Sequence, residues 1–121
     1  MDFRDLTVYK KAYELAMNIY AFSKSFPAEE KYALTDQIRR SSRAVCALIA
    51  EGYRKRIYPK YFISKIIDSD GENSETTVWL DFAFSCKYLS SDQHRLLKSS
   101  AEEIGRLLHH MISNPEKYCN K

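Results

Sequence analysis

Four arginines, Arg39, Arg40, Arg43 and Arg54, carry the strongest chemical signal in this sequence. A helix turns by about 100° per residue. With Arg43 as origin, Arg54 falls about 20° away, Arg40 about 60° and Arg39 about −40°. All four therefore share one band opposite an apolar stripe of Leu34, Ile38, Ser41, Val45, Leu48 and Gly52. Guanidinium groups are planar, multi-donor cations suited to phosphate oxygens. Lys55, Arg56 and Lys60 continue the array past the helix end. The chemistry predicted is phosphate contact, which gives salt-dependent affinity without reading sequence. A second use stays open: ion pairing with the acidic residues between Asp68 and Asp81, in the same or another subunit. Glu51, three residues before Arg54, offers one arginine a local acidic partner.

Other reactive patterns fail on spacing. Asp68-x-Asp70-x-Glu72 begins like a calcium loop, but Asn73 stands where glycine is needed and Trp79 where a bidentate carboxylate is needed. His109 and His110 are adjacent and point about 100° apart on a helix, so they cannot clamp one metal, and His94 lies about four turns earlier. No glutamate has a histidine three residues on, which excludes a di-iron bundle. No glycine-rich nucleotide loop or nucleophile elbow occurs. Cys46, Cys86 and Cys119 form no CxxC pair, and Cys46 reads as a buried structural thiol. The expectation is a non-enzyme with no metal and no cofactor.

The elements that position the arginines follow from composition and periodicity. The chain has 121 residues, enough for one domain, with only three glycines and three prolines. That scarcity favours a few long helices. Leu6, Tyr9, Tyr13, Ala16 and Tyr20 predict a first helix over about 5–25, ended by Phe26-Pro27. The arginine helix spans about 28–56. Pro59 opens a third segment over about 59–88. Its polar middle, residues 68–77, reads either as a loop between two short helices or as the centre of one long helix with Gly71 at a close contact. Ser90 and Gln93 form a capping box for a fourth helix over 91–113. Its stripe is Leu97, Ala101, Ile104, Leu108 and Met111. Asn114-Pro115 stops the helix and opens the tail, 114–121, of which Glu116 to Lys121 read as frayed. Short connections predict an all-α, antiparallel, up-down-up-down four-helix bundle in a single domain.

Charge is uneven along this frame. Residues 31–65 carry nine basic and two acidic groups, whereas residues 66–81 carry five acidic groups and no basic one. Such a dipole suits a polyanion ligand or subunit pairing. Ala44, Ala47 and Ala50 place small side chains beside the arginine band, where a partner backbone can approach; with Glu51 they are the candidate subunit interface. No apolar run is long enough to span a membrane, and the first residues lack a signal-peptide pattern, so the expected location is cytoplasmic.

Several segments resemble a known family. Phe3-Arg4-Asp5-Leu6-Thr7-Val8-Tyr9, Phe26-Pro27 with Tyr32-x-Leu34, Gln37-Ile38-Arg39-Arg40-Ser41 and Ile49-Ala50-Glu51-Gly52 are similar to the four-helix-bundle proteins encoded in intervening sequences of bacterial 23S ribosomal RNA. Gly71-x3-Glu75 resembles a family element of the third helix. The resemblance runs from Phe3 to about Met111. It implies a continuous third helix, a ring-shaped homopentamer and no established enzyme activity; related bundles from diversity-generating retroelements bind nucleic acid and a reverse transcriptase. Two positions depart from the family pattern: Leu48 replaces an asparagine, and Glu72 replaces a serine. Together these readings give an oligomeric protein that binds structured RNA through Arg39, Arg40, Arg43, Arg54, Lys55, Arg56 and Lys60. The alternative is a homo-oligomeric scaffold for another protein, its arginines paired between subunits.

Overall fold

The computed structural model describes residues 2–119. Four helices carry the fold: α1 (Thr7–Ser23), α2 (Asp36–Arg54), α3 (Pro59–Ser85) and α4 (Ser91–Ser113). Neighbouring helices pair in opposite register. Ser23 meets Arg39, Ser41 meets Thr76 while Gly52 meets Ile66, Asn73 meets Ala101, and Lys11 meets Glu103. The chain therefore goes up, down, up and down around one core, with α4 closing against α1.

Each helix has a local cause. The 3-10 turn Phe3–Asp5 leads into α1, and a capping box between Asp2 and Asp5 orders that turn. α1 buries Val8, Ala12, Leu15, Ala16, Ile19 and Ser23. The stripe expected from the tyrosines is displaced by about one residue: Tyr9 and Tyr20 are half-buried and Tyr13 is exposed. Both stripes have helical spacing, and the aliphatic one takes the core because a phenol needs its hydroxyl near water. The segment before α2 is not α-helical from residue 28 as expected. Ala28–Glu30 is a 3-10 turn and Lys31–Thr35 a π-helical turn.

α3 is one unbroken helix, which closes the question left open by its polar middle. Its buried stripe is Phe62, Ile66, Ser69, Asn73, Thr76, Leu80 and Ala83. The three polar members keep the spacing of a core face and find partners inside. Ser69 Oγ donates to the Val45 carbonyl at 2.9 Å. Thr76 Oγ1 lies 2.8 Å from Ser41 Oγ and donates to the Glu72 carbonyl at 2.9 Å. Asn73 Nδ2 donates to the Ala101 carbonyl at 2.8 Å. Gly52 admits this close approach, since a Cβ there would stand 3.1 Å from Ile66 Cδ1 and 3.2 Å from Lys65 Cβ. Gly71 is not a contact point within the chain, because nothing lies within 4 Å of where its Cβ would be.

α4 matches its expected bounds. Both hydrogen bonds of the Ser90–Gln93 capping box form, and the expected stripe from Leu97 to Met111 is buried. The tail is docked through residue 119, contrary to the expected fraying. Pro115–Lys117 forms a 3-10 turn, Tyr118 stacks on Phe62 with ring centroids 5.9 Å apart, and Cys119 is buried. Aromatic stacking and thiol burial against the core offset the ordering entropy of those few residues. Among the described residues no helix is long and apolar enough to cross a membrane.

Candidate nucleic-acid interface

α2 positions the basic residues, and its orientation decides which of them are available. Its buried residues are Ile38, Ser41, Ser42, Val45, Cys46, Ile49, Gly52 and Tyr53, while Leu48 is only half-buried. That face is rotated about 40° from the expected centre, toward α1. The rotation carries Arg39 to the α1 boundary. Its Nε donates to Ser23 Oγ at 2.8 Å, and its guanidinium lies 4.7 Å from the centre of the Tyr20 ring. Arg40 leans the other way and bridges Glu72 and Glu75 of α3. Both arginines thus serve the contacts of α2 with its neighbours, which corrects their expected place on a free phosphate-binding band. Glu72, the departure from the family serine, is one end of that bridge. The pair is half-exposed, so its worth to stability is about 0–1 kcal/mol.

Of the remaining basic residues, Arg43, Arg54, Lys55 and Lys60 are exposed, and Arg56 is partly engaged within the chain. Arg43 is exposed, with its guanidinium 5.7 Å from the Tyr20 ring centre. Arg54 is exposed in the last turn of α2, and Glu51 pairs with Lys65 at 3.3 Å rather than with Arg54 as expected. Asp2 is held below the usual carboxylate range, mainly by its hydrogen bond with Arg4 and to a lesser degree by the charge of Arg54. Lys55 and Lys60 are exposed. Arg56 is half-buried, 4.0 Å above the Tyr53 ring, and donates to the Tyr53 carbonyl at 2.8 Å. Among the described residues, Arg43, Arg54, Lys55, Arg56 and Lys60 have no carboxylate within ion-pair distance.

The acidic side of the dipole is largely answered within the bundle. Asp81 accepts from Lys98 at 3.0 Å and lies 2.8 Å from His94 Nε2; these contacts, His94 first, hold its carboxyl below the usual range. Asp70 stands 3.5 Å from His109. Glu72, Glu75 and Asp81 of α3 are thus paired, whereas the cations along the outer face and end of α2 and on the α2–α3 connection are not. Other cations without a carboxylate partner among the described residues, Lys10, Lys24, Lys31, Lys87, Arg106 and Lys117, are spread over the rest of the bundle.

Sequence reasoning missed two members of that cluster. Tyr58 and Tyr61 flank Pro59, and both are exposed. Tyr58-Pro59 was informative only as a helix boundary, so its aromatic surface had no separate signal. The small residues of α2 have a distinct setting. Ala47 is exposed, Ala44 and Ala50 are half-buried, and Ala47 and Ala50 line a groove of about 400 Å³ against Tyr9, Tyr13 and Met17 of α1.

Residues 4–110 match the family model described as 23S rRNA-intervening sequence protein. A crystal structure of a protein with unknown function from the S23 ribosomal protein family of Bacteroides thetaiotaomicron is similar to this chain. It shares 28% identity and a TM-score of 0.79, over 88% of this chain and 95% of that one. No curated protein matches.

Proposed function

The chain belongs to the 23S rRNA-intervening sequence protein family, and we propose that it is a non-enzymatic, homo-oligomeric nucleic-acid-binding protein whose ligand is structured RNA. The observation that carries this reading is the separation of its charges. Arg43, Arg54, Lys55, Arg56 and Lys60 lack carboxylate partners among the described residues, while Arg40, Lys65 and Lys98 are matched. Exposed cations without carboxylate partners along α2 and the α2–α3 connection favour phosphate contact, and the counterions released on binding make that contact salt-dependent. Arg39 and Arg40 support the face by fixing α2 against α1 and α3. A pentamer, as the resemblance implies, multiplies a weak site through effective concentration.

A gel-shift titration with a structured RNA at several salt concentrations tests the reading. Binding weakens steeply with salt, and Arg43→Ala with Arg54→Ala flattens the slope by about one unit per lost phosphate contact. Absence of binding at low salt, or binding indifferent to salt, overturns it. The scaffold reading is favoured by a different observation: Tyr13 and Met17 stand exposed beside Ala47 and Ala50 in the α1–α2 groove. In that reading Ala44, Ala47, Ala50 and Glu51 touch a second copy, and Ala47→Glu dissociates the oligomer in sedimentation velocity.

A further inference from the structure

The α2–α3 connection exposes three large side chains within five residues. Ile57 is 69% exposed, Tyr58 60% and Tyr61 59%. The fold does not require aromatic surface there. Tyr58 precedes the first turn of α3, and the bonds it makes to that turn come from its backbone carbonyl, which accepts from the Tyr61 and Phe62 N–H groups at 2.9 and 3.1 Å. Its ring and that of Tyr61 meet edge to face, with centroids 6.0 Å apart and planes at 83°. An edge-to-face pair leaves flat ring surface uncovered, whereas a stacked pair hides it. One cation lies over the Tyr61 ring and another is its neighbour in sequence. Lys55 Nζ lies 5.7 Å from the Tyr61 ring centre, and Lys60 sits between the two tyrosines in sequence, exposed. Tyr53 makes the contrast: it is 4% exposed and covered by Arg56, so it serves the core.

We propose that this connection is a stacking site for unpaired nucleobases, in which Tyr58 and Tyr61 take the base faces while Lys55 and Lys60 hold the flanking phosphates. The proposal rests on the polyanion reading above and adds to it the state of the bases. Aromatic rings stack on any base that is free of its partner, and cations track the backbone on either side. A duplex shows its phosphates but hides its base faces, so phosphate contacts alone do not distinguish it from a single strand. The rings make that distinction, and within a structured RNA they direct the protein to loops, bulges and ends. An acidic peptide would satisfy the lysines without using the flat ring surfaces.

Fluorescence anisotropy of the full chain with three labelled probes tests this. The probes are a 12-nucleotide mixed-sequence RNA, the same strand in a duplex, and an abasic sugar-phosphate strand of equal length. The single strand binds tightest. Tyr58→Ala and Tyr61→Ala each weaken it at least about fivefold and leave the abasic strand and its salt slope unchanged. Tyr58→Phe and Tyr61→Phe retain the affinity, because stacking needs the ring and not the hydroxyl, and circular dichroism of each variant reports its fold. If the alanine variants bind the single strand as the parent does, or if the three probes bind alike, the stacking site is wrong while polyanion binding stands. If the alanine variants instead change the sedimentation of the free protein, the rings belong to a contact between copies and the proposal falls. If no probe binds at low salt, the polyanion reading fails and takes this one with it.

Discussion

Lys87 holds φ at 67°, in the left-handed region, where a side chain crowds the following carbonyl. It closes α3 in a Schellman turn: its own N–H bonds the Phe84 carbonyl at 2.9 Å and the Tyr88 N–H bonds the Ala83 carbonyl at 2.8 Å. Glycine is the usual residue at that position. Lys87→Gly is expected to stabilise the chain by about 0.5–1 kcal/mol, the relief of backbone strain outweighing the entropy that glycine adds to the unfolded state. Urea unfolding checks it, and a lower midpoint would show that the lysine side chain contributes more than the strain costs. At the same scale, Arg39 and Arg40 show how a side chain of the right type can hold a different task from its neighbour. They are adjacent in sequence, yet one lies on Tyr20 of α1 and the other on Glu72 and Glu75 of α3.

Among the elements, α3 owes its continuity to hydrogen bonds that hydrophobic periodicity does not register. Ser69, Asn73 and Thr76 occupy core positions because Ser69 Oγ, Asn73 Nδ2 and Thr76 Oγ1 each find a partner on α2, α3 or α4, although Asn73 Oδ1 is buried without one. A double-mutant cycle on Ser41 and Thr76 tests the seam between α2 and α3. Thr76→Val leaves the buried Ser41 hydroxyl without its closest partner and is expected to cost about 1–2 kcal/mol. Adding Ser41→Ala removes the orphan, so the double variant should be less destabilised than the sum of the single variants by about 1 kcal/mol. Strict additivity in thermal or urea melts would refute the coupling. The legibility of each helix follows the same logic. α4 was readable because its capping box and its aliphatic stripe point to one answer. α1 offered two stripes, and spacing alone does not rank tyrosine against Leu15 and Ile19. α2 yielded its exposed arginines on a wheel, but a wheel carries no neighbours, so the partners of Arg39, Arg40 and Glu51 came only from packing. Tyr58 and Tyr61 sit where the chain breaks, outside any periodic pattern.

At the scale of the molecule, the three thiols report on how well the bundle is closed. Cys46 lies near the α1–α2 groove, where burial pushes its thiol up to about 11. Cys119 is sealed by the docked tail and is also raised, chiefly by burial, while Cys86 is exposed after α3. A raised thiol pKa keeps the unreactive protonated form, and burial blocks the reagent as well. Alkylation near pH 8 should therefore modify one cysteine per native chain quickly, at Cys86, and all three in denaturant. Rapid reaction of Cys119 in the native protein would show that the tail is not held against Phe62.

Antiparallel order gathers the beginning of α1, the end of α4 and the α2–α3 connection at a single pole. Tyr118 stacking on Phe62, and Leu6 and Val8 beside Met111 and Tyr118, mark that proximity. The opposite pole holds the α1–α2 and α3–α4 connections. Asp2 and Cys119, the first and last described residues, consequently lie at the pole that carries Lys55, Lys60 and the exposed tyrosines, whereas a label carried on Cys86 reports from the far side.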